Sequence, residues 1–179
     1  ILLALNTQQI QSLTTSQVAS LTSVQSDILT TTNLAALSAV QIGNLNADAL
    51  NAISSRGIAS LSTDQIVGLT TTQMSNLSSA TLSALTTKQI GVLESSDFVA
   101  LSTDNISKLS ANQIKGLTSS QIVQLNTDTI AALNTSAVLA LNTAQVVALT
   151  TFQVANLNTT TVMALSTKQI AALESRDVS

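Results

Sequence analysis

The chain contains no cysteine, histidine, tryptophan, tyrosine or proline. These absences exclude a disulfide framework and His or Cys metal ligands, and leave few side chains for nucleophilic or acid–base chemistry. No catalytic residue, metal ligand or cofactor-binding residue is therefore expected, and the chain is read as non-enzymatic. Charge is scarce as well. Only 8% of the residues are Asp, Glu, Lys or Arg, against about 25% in an ordinary soluble domain, so the surface must be built from neutral Ser, Thr, Asn and Gln. A net charge of −3 with six unclustered basic residues offers no footprint for nucleic acid or for an anionic membrane. No apolar run approaches the roughly 20 residues that span a bilayer, and stretches such as Ala137 to Leu141 are typical of the longest.

What the chain does have is a beat. Every eighth residue from Leu5 to Leu173 is leucine, with Ile53 as the one exception. Numbering the beat residue as position one gives the consensus L-T-T-x-Q-I-x-x, as in Leu85-Thr86-Thr87-Lys88-Gln89-Ile90-Gly91-Val92. Twenty-one complete octads run from Leu5 to Ala172. Residues 1–179 are read as one continuous array, a stack of copied units rather than a single globular core. The array begins and ends in mid-octad, and the chain is expected to be a piece of a longer polypeptide.

The octad reads as a helix start. Position two is Thr, Ser or Asn except at Glu94 and Glu174, and these short side chains lead the N-cap ranking because their oxygen accepts from a free N–H of the first turn. Three residues later comes the common Gln (Gln9, Gln17, Gln65, Gln89, Gln113, Gln145, Gln169), spaced to reach back to the cap's own N–H and complete a capping box. Leu at position one and Ile or Val at position six then form a hydrophobic staple. Position six is apolar in every octad except at Ser26, where Ile28 is the expected buried substitute. Gly43, Gly68, Gly91 and Gly116 fall at positions seven or eight, as do Asn44, Asn76 and Asn156, and are expected to end the helix in a left-handed conformation.

Each unit is thus a helix of five or six residues, far shorter than the roughly 12 to 15 that are marginally stable alone. The predicted fold is an all-α solenoid of very short helices, one per octad, held by stacking of the Leu and Ile spine. A single long helix is excluded, because an eight-residue step at 100° per residue smears the leucines around every face. The alternative is a β-solenoid, which the Thr, Ile and Val content favours. Apolar spacings of five and three break strand alternation and argue against it.

A longer period overlies the octad. Residues 85–98, LTTKQIGVLESSDF, return as LSTKQIAALESRDV at 165–178, an offset of 80 residues or ten octads. The array grew by copying blocks.

The polar outliers have bland readings. Eight of the fifteen charges lie at position four (Asp48, Asp64, Asp104, Asp128, Lys88, Lys168, Arg56 and Arg176) and are read as a solvated stripe. Isolated Asp residues do not assemble a calcium site. Glu94 with Asp97, and Glu174 with Asp177, are read as acidic variants of the capping pair near a helix N-terminus. Asn76, Asn105, Asn134 and Asn158 begin N-glycosylation patterns of a kind that arises by chance in such a composition, and the hydroxyl-rich surface is a better acceptor for O-glycosylation. Phe98 fills buried position six, whereas Phe152 sits at outward position four, where a single exposed aromatic ordinarily carries no meaning and contact with a neighbouring chain is the alternative.

The octad L-[TSN]-T-x-Q-[IV]-x-x resembles the Thr- and Gln-rich arrays of very large, repetitive bacterial surface and secreted proteins of the adhesin type. The resemblance covers the whole chain and implies an extracellular, fibrous, non-enzymatic protein with no cofactor. The function expected is a segment of a filament, sheath or adhesin stalk on the bacterial surface that self-associates with other copies. The alternative is a binding module whose Thr and Ser rows recognise a surface glycan or ice. Neither nucleic acid nor membrane insertion belongs to either reading.

Overall fold

In the computed structural model, residues 5–177 are described, apart from the side chains of Ala132 and residues 175–177. Among the described residues the regular structure is helical throughout, with no strand, and comprises twenty-one short helices, one for each octad. The fold is an all-α solenoid of short helices, and the β-solenoid alternative falls. Two compact units divide the chain, Ile1–Leu101 and Ser102–Ser179.

The cap chemistry works as the octad predicts. In the helix Thr63–Val67, the Ser62 hydroxyl accepts from the Gln65 N–H at 3.2 Å while Gln65 Oε1 accepts from the Ser62 N–H at 2.8 Å. The same reciprocal pair forms at Asn6 and Gln9, at Thr86 and Gln89, and at Asn142 and Gln145. Each cap is worth on the order of 1 kcal/mol. Helices this short contain few hydrogen bonds, so the cap carries a large share of the local order.

The helices end differently from expectation. No described residue has a positive φ, glycines included. Gly68 closes its helix at φ −75° and ψ −7°, and Asn76 at φ −102° and ψ 9°. In the six-residue helices the turn falls on the beat residue itself, which swings to extended backbone, as Leu125 does at φ −62° and ψ 127°. The terminal asparagines contribute a bond rather than a left-handed turn. Asn44, Asn76 and Asn156 each donate their amide at 2.8 Å to the carbonyl four residues back, one of the orphan acceptors at a helix end.

Glycine serves close packing instead. A Cβ built on Gly43 would collide with the carbonyl oxygen of Gly68, and one built on Gly68 would lie 2.6 Å from the carbonyl oxygen and 2.8 Å from the Cβ of Ala39. The helices Ala39–Gly43 and Thr63–Val67 therefore meet nearly backbone to backbone.

Successive coils stack at an interval of three octads. In the first unit Thr7–Gln11 packs on Thr31–Ala36, Ser23–Asp27 on Ala47–Ala52, and Ala39–Gly43 on Thr63–Val67. In the second, Ala111–Gly116 packs on Thr135–Ala140 and Thr143–Val147 on Thr167–Asp177. One coil thus has three helical sides and twenty-four residues. Positions one and six point inward throughout the body of each unit, so that Leu37, Ile42, Leu45, Ile58 and Ile66 are all buried. Full burial of such a side chain contributes about 1.5 to 3 kcal/mol, which is what stabilises helices that could not stand alone.

Two octads depart from their sequence reading. Ile28 does not replace Ser26 in the core. Ser26 is 0% exposed with its hydroxyl unpaired, and Ile28 is 39% exposed. The cap of that helix at Thr22 fixes the phase, and position six faces inward whatever residue occupies it. At the other end of the chain, Thr167–Asp177 runs for eleven residues straight through Leu173 and Glu174, where an octad corner would fall. Glu174 is not a cap.

Candidate functional site

The most elaborate polar arrangement in the molecule lies between coils rather than in a cleft. Position five is buried from the second coil onward, at Gln41, Gln65, Gln73, Gln89 and their counterparts. Once Oε1 is engaged by its own cap, the amide nitrogen faces the coil beneath. Gln65 Nε2 donates to the carbonyls of Leu34 and Leu37, both at 2.7 Å. Gln73 reaches Ile42 and Leu45 at 2.9 and 2.7 Å, and Gln89 reaches Ile58 and Leu61, both at 2.9 Å. In the second unit Gln145, Gln153 and Gln169 repeat the pattern, Gln169 holding Val138 and Leu141 at 2.8 Å. One side chain thus satisfies three backbone groups, the part-buried cap N–H above and two buried corner carbonyls below. Leaving any of them unpaired would cost about 1 to 3 kcal/mol.

In several octads whose position five is not glutamine, another amide takes over. Above Ala49 the cap is Asn46, whose Nδ2 donates to Ala19 and Leu21 at 3.0 and 2.7 Å. Above Ala137 and Thr161 the caps Asn134 and Asn158 donate to Ser107 and Ala131 at 3.2 and 2.9 Å. At Thr81 the amide comes from the coil below. Asn51 Oδ1 accepts from the Ser78 N–H at 2.8 Å and from the Thr81 hydroxyl at 3.0 Å, while its Nδ2 donates to Asn76 at 2.9 Å. At Gly57 no amide is needed for filling, because Leu34 Cδ1 and Ile53 Cγ2 would lie 2.8 and 2.7 Å from any Cβ there.

The outer surface carries the other predicted residues. The position-four residues Asp48, Asp64, Asp104, Asp128, Lys88, Lys168 and Arg56 are exposed, and the side chain of Arg176 lies outside the described residues. Asp104 pairs with Lys108 at 2.6 Å one turn on, both in solvent. No group of three or more carboxylates that could hold a metal occurs among the described residues. Of the four asparagines in glycosylation patterns, Asn105 is buried, Asn134 and Asn158 are engaged as caps and coil bonds, and Asn76 is exposed. Phe98 is buried in the core and Phe152 is 70% exposed. A small apolar cavity lies among Ile130, Leu133, Val138, Leu141, Leu149 and Leu165. Its volume of about 10 Å³ is at the threshold for a single water and far below that of a ligand pocket.

The acidic pair at the twelfth octad is not a capping pair. Glu94 makes no side-chain cap hydrogen bond, and Asp97 is buried at the position that glutamine holds elsewhere. Burial pushes the Asp97 carboxyl above its ordinary value, and the neighbouring Glu94 charge adds to the shift. The side chain of Asp177, which would pair with Glu174, lies outside the described residues.

A hydroxyl stands at position three of every octad except those with Ala39, Ala47 and Ala111. In the second unit Thr103, Thr127 and Thr151 follow one another at one-coil intervals, as do Thr135 and Thr159, and Thr143 and Thr167. All but the half-buried Thr127 are exposed.

A cap, a staple and an inter-coil amide repeated every eight residues define an α-helical repeat protein. The ALTTAQ repeat model matches residues 48–79, 90–127 and 124–159, together more than half of the chain, and the protein belongs to the ALTTAQ repeat family. The letters of that name fall on positions eight and one to five, the segment from the end of one helix through the next cap to the coil-bonding glutamine; Ala140-Leu141-Asn142-Thr143-Ala144-Gln145 departs from it at a single residue. No curated protein matches the chain. No described helix is long and apolar enough to cross a membrane.

Proposed function

We propose that the chain is a structural spacer, a segment of an extracellular bacterial filament, sheath or adhesin stalk, and that it has no enzymatic activity. The observation that carries this reading is the use made of the buried amides. Gln41, Gln65, Gln89 and Gln145 have their amide nitrogens engaged in joining one coil to the next and their amide oxygens in their own caps, so the described polar groups of the interior support extension of the array. The faces left over are neutral and hydroxylated, with few charges to repel a like surface. Self-association through these Ser and Thr faces is the partner reading, with outward Phe152 as an added contact. Negative-stain microscopy of the purified chain tests it. Fibres or lateral sheets support the proposal, and monodisperse particles at high concentration oppose it.

A second reading is favoured by the threonine columns of the second unit. Rows repeating at one hydroxyl per coil, such as Thr103, Thr127 and Thr151, suit an extended periodic ligand such as a surface glycan or ice. Retention on a glycan column, or faceting of ice crystals by the monomer, distinguishes this binding module from the spacer.

A further inference from the structure

Asp97 occupies the coil-bonding position without the group that makes the bond. Every position-five glutamine whose coil bonds are described donates to carbonyls 28 and 31 residues earlier, as Gln89 does to Leu61 and Ile58. The same register sets Asp97 over the corner formed by Ile66 and Leu69. The helix Ser95–Val99 packs on Thr71–Ser75, which begins at that corner. Asp97 is 7% exposed and Leu69 is buried. Ile66 O already receives the Leu69 N–H at 3.1 Å, whereas no hydrogen bond to Leu69 O is found among the described residues. At this register an ionised carboxylate would turn an acceptor toward an acceptor, a pairing that offers no hydrogen bond.

The cap above is missing too, since Glu94 leaves the first turn of this helix without a side-chain bond. Among the described residues of this unit no opposite charge contributes to the shift of Asp97. The helix Thr71–Ser75 carries none, and Asp64 and Lys88 on the adjoining helices stand at exposed position four. The charge that acts on the Asp97 carboxyl, after burial, is Glu94, of the same sign.

We propose that Asp97 is a proton-operated latch between coils. When protonated, its O–H donates to the Leu69 carbonyl and takes the place of the glutamine amide, and the helix draws inward to make up the one methylene by which Asp is shorter than Gln. Loss of the proton removes the donor and leaves a buried carboxylate against a carbonyl, and Ser95–Val99 loosens from Thr71–Ser75. Because folding raises the affinity of this carboxyl for its proton, the latch contributes fully below the ordinary value of 3.8 and is lost as pH rises above it through the raised folded value.

The test uses the whole 179-residue chain as wild type, Asp97→Gln and Asp97→Ala, with amide exchange over residues 95–101 corrected for intrinsic rates and followed from acid to neutral pH. Wild type should lose protection in this helix as pH rises. Asp97→Gln, with a permanent donor, should show no such slope and exchange several-fold more slowly at neutral pH. Asp97→Ala should lose the slope and gain nothing at acid pH. A wild-type slope retained in Asp97→Gln, or protection that increases with pH, overturns the latch. So does a calcium-dependent recovery of protection at neutral pH in wild type that Asp97→Gln lacks, since a cation and not a proton would then fill the gap.

Discussion

The amide nitrogen of Gln65 stands 2.7 Å from the carbonyl oxygen of Leu37, across 28 residues of sequence and one turn of the solenoid. That bond and its companion to Leu34 tie the register of one coil to the cap of the next, because the same side chain also holds the Ser62 N–H. Gln65→Ala strands two buried carbonyls and a part-buried cap N–H, and should destabilise the chain by about 2 to 4 kcal/mol. Gln17→Ala provides the contrast. Gln17 is exposed and its described side-chain bonding is confined to its own cap, where Oε1 accepts from the Thr14 N–H at 2.8 Å, and its loss should cost about 1 kcal/mol or less. Urea unfolding of the two variants checks the difference.

Gly43 reverses the usual effect of alanine in a helix. Replacing a helical glycine with alanine ordinarily stabilises by about 0.4 to 1 kcal/mol, but here the added methyl meets the Gly68 carbonyl. Gly43→Ala should destabilise by about 1 to 3 kcal/mol as the helices Ala39–Gly43 and Thr63–Val67 are forced apart. A raised melting temperature would contradict the close-packing role.

Ser26 is the opposite case. Its hydroxyl is fully buried and has no partner. Ser26→Ala should be neutral or stabilising by about 1 kcal/mol, since it removes an unmet polar group without needing more room. Thermal unfolding measured beside Ser54→Ala provides the control, because Ser54 caps the Gly57 N–H and its removal should cost about 1 kcal/mol.

Glu94→Thr should install the absent cap at the helix Ser95–Val99. A hydroxyl at this place, as at Thr86 and Thr70, should stabilise by about 0.5 to 2 kcal/mol. Denaturant midpoints of wild type and variant give the answer, and an unchanged midpoint would show that the corner holds without a side-chain cap.

Much of this was legible in the octad because capping is local chemistry. Thr86 and Gln89 find each other within one turn, and Leu85 and Ile90 flank them whatever lies beyond. The number of octads in a coil was not legible, since a period of eight fixes where each helix starts and says nothing of how many sides close a turn. Gln65 showed the same limit, with one half of its amide readable as a cap and the other half meeting residues 28 and 31 positions away. A trace of that second role was present in the sequence. Asn46, Asn134 and Asn158 cap octads whose position five is Ala49, Ala137 and Thr161, so an amide lost at one position returns at the other. The glycines misled because a helix end suggests a left-handed residue, while close approach between coils is a long-range demand. Ser26 misled because the apolar Ile28 looked like the better core residue, yet the Thr22 cap had already fixed which side chain faces inward.

The sharpest test of the coil register is nuclear magnetic resonance on a chain carrying ¹⁵N at the Gln65 side-chain amide. The account predicts nuclear Overhauser contacts from the Gln65 Nε2 protons to Leu37 and to Leu34, across the corner of the coil beneath. Contacts to residues two or four octads away, or amide protons that exchange freely with water, would contradict it.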